Sequence, residues 1–192
     1  MSSVATPSGA EPIGTLSANG SFSGKVRHYP IATTYGTQIS YGDFVSIVAG
    51  GGVEKIVVTD TATVVTLGVF CGCFYTDPTT GQPTFSQFWP ASNAATDAVA
   101  YVADDPDLLF QMQGAGAIEA ADRGQNAEIV VTAGNAITGR SRNAVNATTA
   151  TTNTFPLRIV EFVDGPDSAA GDAYTDVVCM FNVHFYRQPL GV

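Results

Sequence analysis

The chain is poor in the residues that carry chemistry. Of its 192 residues eight are Lys or Arg, two are His, three are Cys and one is Trp, and charged residues of both signs make up only 13%. An average soluble domain carries roughly 25% charged residues, so much of this surface must consist of Ser, Thr, Asn, Gly and Ala. Basic residues are missing altogether between Lys55 and Arg123, an interval that holds Asp60, Asp77, Asp97, Asp104, Asp105, Asp107, Glu119 and Asp122. The net charge is -9 and the pI near 4.3. A nucleic-acid groove needs cations to displace phosphate counterions, and this composition argues against such a partner. No apolar run approaches the roughly 18 residues of a membrane helix, and the first residues lack the charged and hydrophobic regions of a signal peptide. No membrane partner is expected, and synthesis is expected in a cytoplasm.

Reactive groups are equally thin. Cys71 and Cys73, two residues apart, should share one face of a strand, with Cys179 on another. Buried reduced thiols are the expectation, with a bridge between Cys73 and Cys179 geometrically possible. A zinc site wants four ligands, and His28 and His184 are not spaced to complete one. The densest carboxylate cluster, Asp104-Asp105-Pro106-Asp107, could offer oxygens to a hard cation. It lacks the spacing of an EF-hand, and a solvated turn with Asp side chains capping their own backbone is the better reading.

Neither histidine lies in a nucleophile signature, and His184, among Phe181, Phe185 and Tyr186, reads as a packed sheet residue. Gly114-Ala-Gly116 lacks the third glycine of a dinucleotide fingerprint. The catalytic, cofactor-binding and metal sets are therefore left empty: no cofactor, no enzymatic activity.

What the chain does have is strand wording. Val64 to Tyr75 is rich in β-branched and aromatic residues, Asp77-Pro78-Thr79-Thr80-Gly81 is turn chemistry, and Thr84 to Trp89 alternates polar and aromatic before Pro90. That block predicts a β-hairpin. Turn signals recur every 8 to 12 residues or so, the rhythm of a sandwich or barrel. Further strands are predicted over Val26 to Tyr29, Phe44 to Val48, Glu54 to Thr59, Ala98 to Ala103, Leu108 to Gln113, Ala127 to Val131, Ile137 to Val145, Leu157 to Val163 and Thr175 to Tyr186. The last of these looks central, with Pro189 closing the chain. A helical turn is possible over Ser92 to Ala100, and Ala144 to Thr154 reads as a mobile Thr-rich loop.

The fold class expected is all-β: a single antiparallel barrel or sandwich-like domain over residues 25–192, preceded by an extended arm over residues 1–24. The arm has too few large apolar residues for a core of its own. Its deletion should weaken partner binding and barely move the melting temperature. Ile13, Leu16 and Phe22 are its anchors for a neighbouring chain. Lys25 and Arg27 near the start, and Arg140 and Arg142 together, are the bases that could meet an acidic partner, Arg158 and Arg187 being further candidates for the same patch.

The segment Gly68-Val-Phe-Cys-Gly-Cys-Phe-Tyr-Thr-Asp-Pro-Thr-Thr-Gly, with Thr84-Phe-Ser-Gln-Phe-Trp-Pro, Ala100-Tyr-Val-Ala-Asp-Asp-Pro, Phe110-Gln-Met-Gln, Pro156-Leu-Arg-Ile-Val and Gly171-Asp-Ala-Tyr-Thr-Asp, ending in Asn182-Val-His184, resembles the head decoration, or cement, proteins of tailed bacteriophages. The likeness spans roughly Tyr29 to Leu190 and rests on strand and turn wording. It implies an auxiliary virion protein, present in many copies on the outer surface of an icosahedral capsid and made in the bacterial cytoplasm. Its implied partners are the major capsid protein and itself, as a dimer or trimer at a symmetry axis. Trp89 in the hairpin joins the partner-binding candidates. Two alternatives remain open: another virion subunit (tail, fibre or head completion), and a secreted carbohydrate-binding β domain with Trp89, Phe88 and Tyr101 as its stacking platform.

Overall fold

A computed structural model describes residues 4–16, 21–57 and 64–187, and every strand in them belongs to one of two antiparallel sheets. The strands are β1 (Glu11–Thr15), β2 (Arg27–Pro30), β3 (Phe44–Ile47), β4 (Val53–Lys55), β5 (Gly68–Thr76), β6 (Pro83–Ser86), β7 (Val99–Ala103), β8 (Leu108–Gln113), β9 (Asn126–Val130), β10 (Ala144–Ala150), β11 (Leu157–Phe162) and β12 (Asp176–Phe181). The first sheet runs β1-β8-β12-β11-β9-β10, the second β2-β7-β5-β3-β4, with β6 paired onto β5. The domain is all-β and sandwich-like.

Two cores follow from this arrangement. The first lies between the sheets, where Phe110, Cys179, Phe181, Leu157 and Ile159 of the first sheet meet Phe44, Val69 and Ala103 of the second. The Phe44 ring stands edge-on to Phe110 and Phe181. The second core covers the opposite face of the second sheet and contains Val45, Phe70, Cys73, Tyr75, Ala100 and Val102. Connecting segments close it from outside, contributing Ile31, Ile39, Trp89 and Ala98. A sheet buried on both faces needs apolar residues at consecutive positions, which is what Val69-Phe70 and Val102-Ala103 supply.

The predicted hairpin is β5 and β6, joined by a turn in which the Asp77 carboxylate accepts the Thr79 N–H at 2.7 Å. One local feature decides which side each residue faces. The register between β5 and β7 shifts between Phe70 and Gly72, and Gly72 sits at φ 138, a conformation side chains resist. An extra residue in one strand flips everything beyond it to the other face. Cys71 therefore packs toward the first core and Cys73 into the second, so the expected shared face is not found. Cys179 lies in the first core, and all three thiols are free.

Other boundaries moved for identifiable reasons. Residues 137–143, expected as a strand, form a turn in which the Asn135 side chain accepts the N–H groups of Ile137 and Thr138. The strand begins later, because the Thr-rich segment read as a loop is β10, an edge strand paired with β9. Ser92 to Ala100 holds no helix: Ser92 has φ 57 and the Asn93 side chain accepts the Ala95 N–H, both turn features. β12 is central between β8 and β11 but ends at Phe181. There the Asn182 amide donates to the carbonyls of Asn153 and Phe155, and a short 3-10 turn follows over Phe185–Arg187. β4 stops at Lys55. Thr59, Pro189 and the first three residues lie outside the described segments.

The arm expectation also changes. Glu11–Thr15 is the edge strand of the chain's own first sheet, paired with β8 from Glu11 opposite Gln111 to Thr15 opposite Leu108. Ala10 just before it is fully buried in the first core and donates its N–H to the Gly42 carbonyl at 2.9 Å. The segment lacks a core of its own, and it completes the one it lies on.

Candidate interaction surface

In β5 the second-core residues Cys73 and Tyr75 flank Phe74, which must therefore point the other way. In β7 the same alternation sets Tyr101 between Ala100 and Val102. At the end of the sheet nearer Val69 and Ala103 this opposite face is covered by the first sheet. At the hairpin end it is bare.

Phe74 lies across from Phe85, and Phe85 is 69% exposed. The Phe85 ring lies 5.5 Å from Tyr101, and Tyr101 meets His28 edge-on at 4.5 Å. The strands β6, β5, β7 and β2 thus carry an aromatic ledge. Gly72 takes part through what it lacks, since a Cβ there would come 3.7 Å from the tip of the Phe85 ring. That is ordinary van der Waals contact, so the ring packs against the strand at Gly72.

Trp89 is not on this surface. It is 1% exposed, edge-on to Tyr75 at 5.4 Å, with its indole N–H donated to the Tyr35 carbonyl at 3.0 Å. Its assignment to partner binding is corrected, and a sugar-stacking platform built on Trp89 goes with it. The residues carrying the outward face are instead Phe74, Phe85, Tyr101 and His28. Part of their signal was present in the sequence: Phe74 and Tyr101 alternate with residues that are buried, whereas Phe85 and His28 stand between exposed or half-buried ones.

The remaining candidates do not converge. Ile13 and Leu16 are exposed on and just after β1, whereas Phe22 is half-buried against the first core. Lys25 and Arg142 are exposed. Arg27 pairs with Asp104 at 3.3 Å, and its guanidinium lies over the Tyr186 ring. Arg140 pairs with Glu11 and lies over Tyr41, so this arginine fastens β1 to the body. Arg158 bonds Asn126 and Asn182, and Arg187 bonds Asp107. Each of these four arginines is committed to a different intramolecular set.

The aspartate cluster also disperses. Asp104, 3% exposed, accepts the Tyr29 hydroxyl at 2.5 Å, and that hydroxyl also meets Tyr186 at 2.6 Å. Burial first, then the Asp104 carboxylate, pushes the Tyr29 phenol well above its ordinary range. Asp105 caps the Asp107 N–H at 2.9 Å. Among the described residues no group of three or more His, Cys, Asp and Glu side chains could hold a metal ion.

A second polar feature was not anticipated. Asp43, fully buried, pairs with Lys55 at 2.9 Å and accepts hydrogen bonds from Ser141, Asn143 and the Ser40 N–H. It stands where β3 and β4 meet the segment entering β10. The sequence hinted at it only by placing a lysine between the apolar residues Val53 and Ile56. No protein-family model, curated protein or solved structure matches the chain.

Proposed function

We propose that this chain is a non-enzymatic structural protein of a bacteriophage virion, a decoration or cement protein that binds the outer surface of the icosahedral head and stabilises the major capsid protein lattice. The observation that carries this reading is the bare aromatic ledge of Phe74, Phe85, Tyr101 and His28 on a sheet whose other face is fully packed. Exposed apolar groups gathered on a rigid element mark a surface that another protein covers. Ile137 and Val57 are also strongly exposed and lie outside the four strands that carry the ledge.

Such a ledge makes a modest contact in one copy, and repetition over a lattice multiplies it. The acidic character of the body keeps it from packaged DNA. Self-association around a symmetry axis would place equivalent ledges on adjacent capsomers.

The test is reconstitution: the purified chain is mixed with heads assembled from the major capsid protein of the same phage and imaged by electron cryomicroscopy. Density at regular lattice points, lost when Phe74 and Phe85 are both replaced by Ser, is the expected result. Density confined to the tail vertex would assign a tail or head-completion role instead. Absence from the particle would overturn the proposal.

A further inference from the structure

We propose that Lys55 and Asn143 become joined by an intramolecular isopeptide bond, with Asp43 as the catalytic carboxyl. Lys55 ends β4 in the second sheet, and Asn143 immediately precedes β10 in the first. One buried carboxylate touches both. Its Oδ2 lies 2.9 Å from Lys55 Nζ, and its Oδ1 accepts a hydrogen bond from Asn143 Nδ2 at 3.1 Å. The carboxylate is itself held by the Ser141 hydroxyl at 2.6 Å and the Ser40 N–H at 2.8 Å.

Thr132 brackets the same pair from its backbone. Its N–H donates to Asn143 Oδ1 at 3.0 Å, and its carbonyl accepts Lys55 Nζ at 3.2 Å. Asp43 is 0%, Asn143 1% and Lys55 9% exposed, so bulk water is kept from the group.

A carboxamide resists an amine for three reasons: the amine is protonated, the carbonyl is a weak electrophile, and the amide nitrogen leaves badly. Each is met by an atom already in place. Lys55 Nζ lies 2.9 Å from Asp43 Oδ2, and the reaction requires its ammonium to hand a proton across that contact, giving a neutral amine. Nζ attacks Asn143 Cγ, and the oxygen that gains negative charge, Oδ1, already accepts the Thr132 N–H. Asp43 returns a proton to Nδ2 and takes one from Nζ. The Cγ–Nδ2 bond breaks, the Nζ–Cγ bond remains, and the released ammonia takes the last proton from Asp43, leaving as ammonium.

Lysine ammonium and asparagine carboxamide become an amide and ammonium, with Asp43 regenerated as carboxylate and nothing oxidised or reduced. Holding amine and carboxamide on the two oxygens of one carboxylate replaces the improbability of a bimolecular encounter. A cleft of about 250 Å³, lined by Lys55, Ile56, Thr132 and Gly134, adjoins the lysine side of the group. The bond would tie the two sheets together covalently.

The test is intact-mass spectrometry of the folded full chain after prolonged incubation at neutral pH, with tandem mapping of digests. The expected result is a mass lower than the sequence by one ammonia, with a branched peptide joining Lys55 to Asn143. The Lys55→Met and Asp43→Asn variants, shown to be folded by circular dichroism, should keep the full sequence mass. Two results would overturn the assignment: an undiminished mass in the native protein, or ammonia loss mapping elsewhere, as at Asn19-Gly20. A bond that still forms in folded Asp43→Asn would remove Asp43 from its role.

Discussion

Trp89 stands edge-on to Tyr75, with ring centroids 5.4 Å apart, inside a core that the sheet covers on one side and connecting segments on the other. Replacing the indole by a methyl group leaves a large void and an unpaired Tyr35 carbonyl. Trp89→Ala should cost about 3–5 kcal/mol. Phe85→Ala, on the exposed face of the same hairpin, should cost about 1 kcal/mol or less. Urea unfolding of the two variants measures the contrast, and equal losses would mean that the two faces are misassigned.

Gly72 is the hinge on which those faces turn. A Cβ there would sit 3.1 Å from the Ser86 carbonyl oxygen at φ 138. Gly81, at φ 68 in the hairpin turn, has open space around it. Gly72→Ala should therefore destabilise by about 1–3 kcal/mol and Gly81→Ala by roughly 1 kcal/mol, read as shifts in denaturant midpoint.

Residues 4–16 contribute a strand to the first sheet and Ala10 to its core. Deleting residues 1–16 should lower the melting temperature measurably, by several degrees for each 1–2 kcal/mol lost. An unchanged melting curve would return the segment to the status of a loose arm.

His184 is 1% exposed, its Nδ1 accepts the Tyr186 N–H at 3.2 Å, and burial lowers its pKa to about 4. The unfolded chain has an ordinary histidine near 6.5, so between these values the unfolded state binds more protons. Stability from this residue is complete above pH 6.5 and is lost as pH falls toward 4, by at most about 3 kcal/mol. Chemical denaturation from pH 7 to pH 4.5 should show this loss, and His184→Asn should flatten it.

The thiols provide a test of packing. Burial pushes Cys71 up to about 11 and Cys73 up to about 12, and raises Cys179 as well. A thiol reagent at neutral pH needs the thiolate, so it should label the native chain slowly and all three cysteines on denaturation. Rapid labelling of one thiol in the folded state would show that its core opens.

Much of this fold was legible along the chain, and the misses share a cause. β5, β7 and β11 follow from their own β-branched and aromatic residues, a preference each segment expresses alone. β10 was missed because Ala, Asn and Thr become a strand there only through pairing with β9. The hairpin's aromatic surface was half legible. Phe85 alternates with polar residues and faces out, while Trp89 lies beyond the strand end and turns inward to donate to Tyr35.

Composition and period-two patterning are local properties, and they suffice to specify an acidic, weakly charged all-β domain with a strong hairpin. Packing in three dimensions settles which hairpin face is bare, since a single bulged residue at Gly72 reverses the alternation. It also decided that Glu11–Thr15 belongs to the domain's own sheet, and that Asp43, Lys55 and Asn143 meet. Those encounters join residues separated by as many as 100 positions, and no local preference of a chain specifies contacts at that range.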